Sequence, residues 1–332
     1  MKIKIFLLLL VLTICVTGCF GGSKKDIVNN FEKKYDNLKS YKLTGELQIT
    51  NNDDVYNYDV KVTFQRNDKF NVNLVNKANE HEQIILKNEE GVYVLTPSLN
   101  KSFKFQSDWP YNNSQIYLIQ SILSDVKNDK KRVVVEEESG YMITSVVNYP
   151  NNRRLVKQVI KLDKNHNLKE IRVVDEKDIV QMKMTIKTLE LNVTIDKNEF
   201  NLNKIMESKS VPEKTEETSF LEDTIYPLYI PLGTVLTSEE KIAKTNGERI
   251  IMTFDGEKPF LLVQETANIE SVFSIVPTYG EPYLLVDTVG ALSNSSISWS
   301  SNGIDYYLVS DVMSQEELIK IARSVSVIPT MK

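Results

Sequence analysis

Cysteine is nearly absent. Only Cys15 and Cys19 carry a thiol in 332 residues. No disulfide, thiolate metal site or cysteine nucleophile can therefore be built into the body of the chain. Histidine is equally scarce, with His81 and His166 alone, both in polar stretches that read as solvated strand ends or turns. No His-x-Glu or His-Glu-x-x-His spacing occurs, so zinc lacks its ordinary ligands. The Gly-x-Ser-x-Gly elbow and the phosphate-cradling Gly-x-x-x-x-Gly-Lys-Ser/Thr run are missing too. Nor is there a surplus of positive charge: 40 Lys and Arg against 45 Asp and Glu give a formal charge of −5. That balance argues against a nucleic-acid surface and against non-specific adhesion to anionic lipid. The charge clusters Asp53-Asp54, Glu136-Glu137-Glu138, Lys130-Lys131-Arg132 and Arg153-Arg154 sit in polar, turn-like context and read as solvated faces. No metal, cofactor or catalytic constellation is expected, and the chain reads as non-enzymatic.

What is present begins at the amino terminus. Lys2 and Lys4 precede an apolar run from Ile5 to Val16, 12 residues long. A membrane-crossing helix needs about 20, so this run reads as an export signal. The Val16-Thr17-Gly18-Cys19 stretch that follows resembles the lipobox of bacterial lipoproteins, with Val where Leu is commoner. The resemblance implies a signal peptide over 1–18 and acylation, with palmitate among the chains, at Cys19. Two acyl chains hold a protein durably where one does so only marginally. The expected location is the extracytoplasmic face of the cell membrane, with membrane lipid contacted through Cys19.

Residues 19–25 read as a tether. From Asp26, a suitable N-cap, Ile27, Phe31, Tyr35 and Leu38 form one helical stripe. After Ser40 the period becomes two, in Tyr41–Ile49, Val60–Phe64 and Phe70–Leu74, then near Gln83–Lys87 and Gly91–Leu95. This alternation marks half-buried antiparallel strands. Trp109-Pro110 breaks it, Ser114–Val126 reads as a helix, and strand signals resume from Val133 to Ile195. The span 26–203 is thus expected to be an α+β domain. Residues 204–223, polar and containing Pro212, read as a linker. A smaller α+β domain is expected over 224–330. Its strands are predicted at Arg249–Phe254, Phe260–Glu265, Ser271–Val276 and Tyr283–Thr288, with an Asn302-Gly303 hairpin and a closing helix capped by Ser314 and Glu317.

The helix, the uninterrupted sheet, the Trp109-Pro110 break, the inserted helix and Asp196-Lys197-Asn198-Glu199-Phe200 together resemble the LolA/LolB/RseB superfamily. That resemblance implies a curved antiparallel half-barrel with helices on its concave face. The second domain carries Gly247-Glu248, Trp299, Asn302-Gly303, Tyr306-Tyr307-Leu308 and Ser314–Leu318. With the lipobox and the order of domains, it makes the chain most similar to the YdcC-type sporulation lipoproteins, a group related to the germination lipoprotein GerS. The function implied is a membrane-anchored binding or adaptor protein of sporulation or germination, with an envelope or spore protein as partner. An apolar lipid or lipoprotein-acyl ligand is the alternative, and an RseB-like stress regulator a variant. Candidate lining residues for such a cavity are Leu47, Ile49, Val62, Phe64, Val72, Leu74, Met182, Met184 and Ile186, with Ile116 and Ile119 as the plug. The alternation is equally that of a filled core.

Overall fold

The computed structural model describes residues 24–51, 54–209, 224–245, 247–268, 273–285 and 287–325. The expected signal peptide, Cys19, Asp53 and residues 210–223 lie outside these. Helix α1 (Lys24–Tyr35) buries Ile27, Val28, Phe31 and Tyr35, and Asp26 falls in its first turn. Next come β1 (Ser40–Asn51), β2 (Asp54–Gln65), β3 (Lys69–Asn76), β4 (Glu82–Asn88), β5 (Gly91–Thr96) and β6 (Lys101–Phe105). Helix α2 (Ile119–Asn128) precedes β7 (Val133–Glu137), β8 (Gly140–Val146), β9 (Leu155–Asp163), β10 (Leu168–Asp175) and β11 (Val180–Leu191). Each strand pairs antiparallel with its sequence neighbour across the hairpins, and β1 pairs with β11, so the two runs join in mid-sheet.

Helix α2 starts later than the predicted Ser114. The Ser114 hydroxyl donates to Asp125 Oδ2 at 2.8 Å and the Gln115 N–H donates to Ser121 Oγ at 2.7 Å. These bonds fold 114–118 back against the helix instead of extending it.

The sheet curls but does not close. Strands lie about 4.8 Å apart, so eleven of them laid flat would spread roughly 50 Å, whereas a helix is only about 10 Å across. Yet inward side chains from Phe105 on β6 to Val134 on β7 share one apolar cluster with α1 and α2. Only a sheet wrapped around the two helices brings them together. Helix α3 (Leu202–Lys209) lies on the opposite face, where Leu202, Ile205 and Met206 cover Ile84, Leu86, Tyr93 and Leu95 of β4 and β5. It takes up the first residues of the expected linker. Three apolar residues at i, i+3 and i+4 suffice for one buried stripe, even among Lys, Asn and Glu.

The second sheet holds β12 (Thr234–Lys244), β13 (Gly247–Gly256), β14 (Phe260–Thr266), β16 (Glu281–Leu284), β17 (Val289–Leu292), β18 (Ser296–Ser301) and β19 (Ile304–Val309). Their order is β12-β13-β14-β19-β18-β17-β16. Asn302 and Gly303 take φ of 51° and 77°, the left-handed pair a two-residue hairpin needs. Helix α4 (Gln315–Ser324) opens on a capping box between Ser314 and Glu317 and buries Leu318, Ile319, Ile321 and Ala322. Strand β15 (Ser274–Thr278) departs from expectation. It pairs in parallel with β6, Val276 opposite Phe103, and so joins the first sheet. The bare edge of β6 supplies the unpaired backbone groups that draw it there.

Candidate functional site

All eleven predicted lining residues meet in one place. Nine are at most 6% exposed, and Met182 and Ile186 pack half-buried against the same apolar cluster as α1 and α2. Val62 also borders a polar crevice of about 470 Å³ between α3 and the outer face of β1–β3.

The other end of the concavity is filled differently. Val289 and Ala291 of β17 join the first sheet's cluster, so a strand of the second sheet covers the inner face of β4–β6. The fit leaves a cleft of about 380 Å³ between the sheets. Phe103, Phe105, Val94, Val276 and Thr278 form one wall, and Ser298, Trp299, Ser300, Tyr306 and Tyr307 the other. Gly290 of β17 lies tight against its neighbour β18: a Cβ there would sit 2.7 Å from the Ser298 carbonyl oxygen. Trp299 and Tyr306 stack with ring centroids 4.8 Å apart, while Tyr307 and Tyr279 stand exposed at the mouth.

The polar groups of this seam bind one another. Gln83, 4% exposed, accepts from the Val289 N–H and lies 3.0 Å from the Thr288 hydroxyl. That hydroxyl is also 2.8 Å from the Ser300 carbonyl oxygen. With one proton it donates to one acceptor at a time. Asp305 accepts from Ser300 Oγ at 2.5 Å and faces the Lys101 ammonium at 3.8 Å. Burial pushes the Tyr306 hydroxyl far above the ordinary tyrosine range, with Asp287 adding to the effect, so it stays protonated. An aromatic wall with a few mutually satisfied polar groups is suited to holding an apolar surface or side chain.

Elsewhere, both histidines are half-buried instead of solvated. His166 stacks on Tyr141 at 4.8 Å, and the Nε2 atoms of both lack a hydrogen-bond partner. Desolvation lowers each pKa. Among the described residues no group of three or more His, Cys, Asp or Glu is placed to hold a metal ion, and no helix is long and apolar enough to cross a membrane. Sequence reasoning missed the cleft. The pairing of Trp299 with Tyr306 follows from the Asn302-Gly303 hairpin and was in principle readable, but nothing local announces that β15 and β17 reach back to β4–β6.

The chain is 38% identical over 328 residues to the sporulation protein YdcC of Bacillus subtilis (strain 168), covering 97% of this chain and 96% of that relative. No family model matches. Among solved structures, the MucA/MucB complex of Pseudomonas aeruginosa aligns with 90% of this chain and 97% of its own at 11% identity and a TM-score of 0.33. A putative outer membrane lipoprotein-sorting protein domain from Vibrio parahaemolyticus aligns with 55% and 97% at 12% identity and 0.33. The CwlD amidase–GerS lipoprotein structure from Clostridioides difficile aligns with 51% and 96% at 14% identity and 0.24. Likeness at these scores is slight and assigns no role to any residue.

Proposed function

Because the chain belongs to the family of the sporulation protein YdcC, we propose that it acts in the envelope of a sporulating cell as a lipid-anchored, non-enzymatic adaptor. In this reading the seam between its sheets holds a protein partner. The observation behind it is the chemistry of that seam: aromatic side chains open to solvent at the mouth, over polar groups already engaged with one another. Such a surface recognises without reacting. Acylation at Cys19 would leave four residues before α1, a tether of roughly 15 Å at full extension, and keep the body close to its bilayer.

The test has two arms. Radiolabelled palmitate should mark the wild-type chain and not the Cys19→Ser variant, which should be released from cells and fail in spore formation. Val276→Asp with Tyr307→Ala should abolish recovery of a stoichiometric envelope partner while the protein stays folded. A Cys19→Ser protein that remains cell-bound and active, or cleft variants that still hold the partner, would defeat the proposal.

The cleft's volume of about 380 Å³ and its aromatic walls favour a second reading, an apolar lipid or acyl ligand. Native mass spectrometry of the unacylated protein should then show a co-purifying lipid. A bare protein mass would remove this reading.

A further inference from the structure

Among the described residues the two sheets have four free edges, and three are guarded. Strand β15 carries Pro277, β16 carries Pro282, and the short β7 ends in Glu136-Glu137. Proline and charge are the ordinary devices that stop an edge from pairing. Strand β12, the longest of the four, is guarded over half its length: Ser238–Lys244 follows a register shift and bears Glu239, Glu240, Lys241 and Lys244. Thr234–Leu236, ahead of the irregularity at Thr237, carries neither proline nor charge, and its Thr234 N–H donates to the Pro231 carbonyl oxygen at 3.2 Å.

The exposed apolar side chains gather beside that bare half. From Tyr226 to Gly233 the chain has no charged residue, and Leu228, Leu232 and Val235 are 74%, 95% and 63% exposed. The arm is held in place. The Ile225 N–H donates to buried Gln264 Oε1 at 3.1 Å, and the Leu228 N–H donates to the Ser324 carbonyl at 3.2 Å. With Val235 and Leu236 of β12 included, its exposed apolar residues present roughly 700 Å², taking about 150–220 Å² for a whole residue. A typical monomer's largest patch is about 300–600 Å², and a standard interface takes about 800 Å² from each partner.

Charge decides between occupants. Residues 224–332 carry 13 Asp and Glu against 7 Lys and Arg, whereas 1–223 carry 32 against 33. The excess negative charge thus lies in the part that bears the arm. An anionic bilayer is repelled there and a basic polypeptide attracted.

We propose that Thr234–Thr237 and the Tyr226–Gly233 arm dock an extended segment of a partner protein, apolar at alternate positions and basic between them, as an added strand of the second sheet. This deepens the adaptor reading but uses a surface separate from the cleft. The test is titration of the full chain, purified in detergent, with an acetylated (Val-Lys)₄ peptide against (Val-Glu)₄, with hydrogen exchange of the backbone. The lysine peptide should bind at least tenfold more tightly and slow exchange at 234–237 at least tenfold. Val235→Lys should weaken it tenfold or more, and Ile242→Lys, in the guarded half, less than twofold, with unchanged melting for both. Tyr307→Ala should leave peptide binding intact, so failure here is separable from failure of the cleft proposal. Equal affinity for the two peptides, or unaltered exchange at 234–237, would overturn the inference. So would protection of that stretch by self-association or by phosphatidylglycerol vesicles instead of the peptide.

Discussion

The concave face of the first sheet is filled in two ways. Toward β1 and β11 the filler is helical and local, with Phe31, Tyr35, Ile119 and Ile122 driven into the sheet. Toward β4–β6 it is β17, a strand of another sheet, fastened by the Gln83 amide. Helical side chains project radially and repack until the interior is dense. A strand presents one flat face and brings backbone N–H groups that demand acceptors. Both ends bury a glutamine, Gln158 donating to the Ile122 carbonyl oxygen at 3.2 Å in the first and Gln83 accepting from the Val289 N–H in the second, but the second also retains a cleft. A cleft remains where two independently patterned surfaces meet.

The contrast can be broken experimentally. Phe31→Ala, at a residue with no exposed surface, should cost about 3–5 kcal/mol, read as a lowered urea midpoint. Val289→Ala at the strand-filled end should cost about 1–2 kcal/mol; equal losses would mean the two ends are packed alike. Gln83→Leu should cost about 1–3 kcal/mol, since it leaves the Val289 N–H buried without an acceptor. It should also split one unfolding transition into two, as the second sheet loses its hold.

Asp125 on α2 sharpens the comparison through pH. Burial raises its carboxyl to about 6, partly offset by the Ser114 hydrogen bond. In the unfolded chain it titrates near 3.9. Protonation therefore favours the folded state. The contribution is complete below about pH 4 and is lost as pH rises through about 6. Wild type should gain stability relative to Asp125→Asn as pH falls from 7 to 4, measured by urea unfolding. Tyr307→Ala should move stability least, within about 0.5 kcal/mol, because its ring is 45% exposed. Its effect should appear in partner recovery.

Much of the fold was legible because its signals are local. The α1 stripe, the Asn302-Gly303 hairpin and the Ser314–Glu317 box each lie within a dozen residues and each formed. Strand β12 was not, because Thr-Ser-Glu-Glu-Lys-Ile-Ala-Lys has neither a period of two nor a buried face. It is fixed only by pairing with β13. The predicted strand Ser271–Val276 was right in kind and wrong in sheet, since a strand's own residues do not name its partner. The eleven inner residues were legible as one apolar face. The cleft was not, because its two walls come from β4–β6 with β15 and from β17–β19, which only the tertiary arrangement brings together.

The parallel seating of β15 on β6 also fixes an order of events. A chain is synthesised amino terminus first, and the rim of the first sheet waits naked until the segment 274–278 has been made. The second sheet's β12 to β14 are by then already complete. The halves are stitched in a loop, so severing the chain between 209 and 224 and producing the front half alone would leave a sticky, unfinished border. Such a fragment should accumulate as aggregate, and supplying the back half in trans should rescue it.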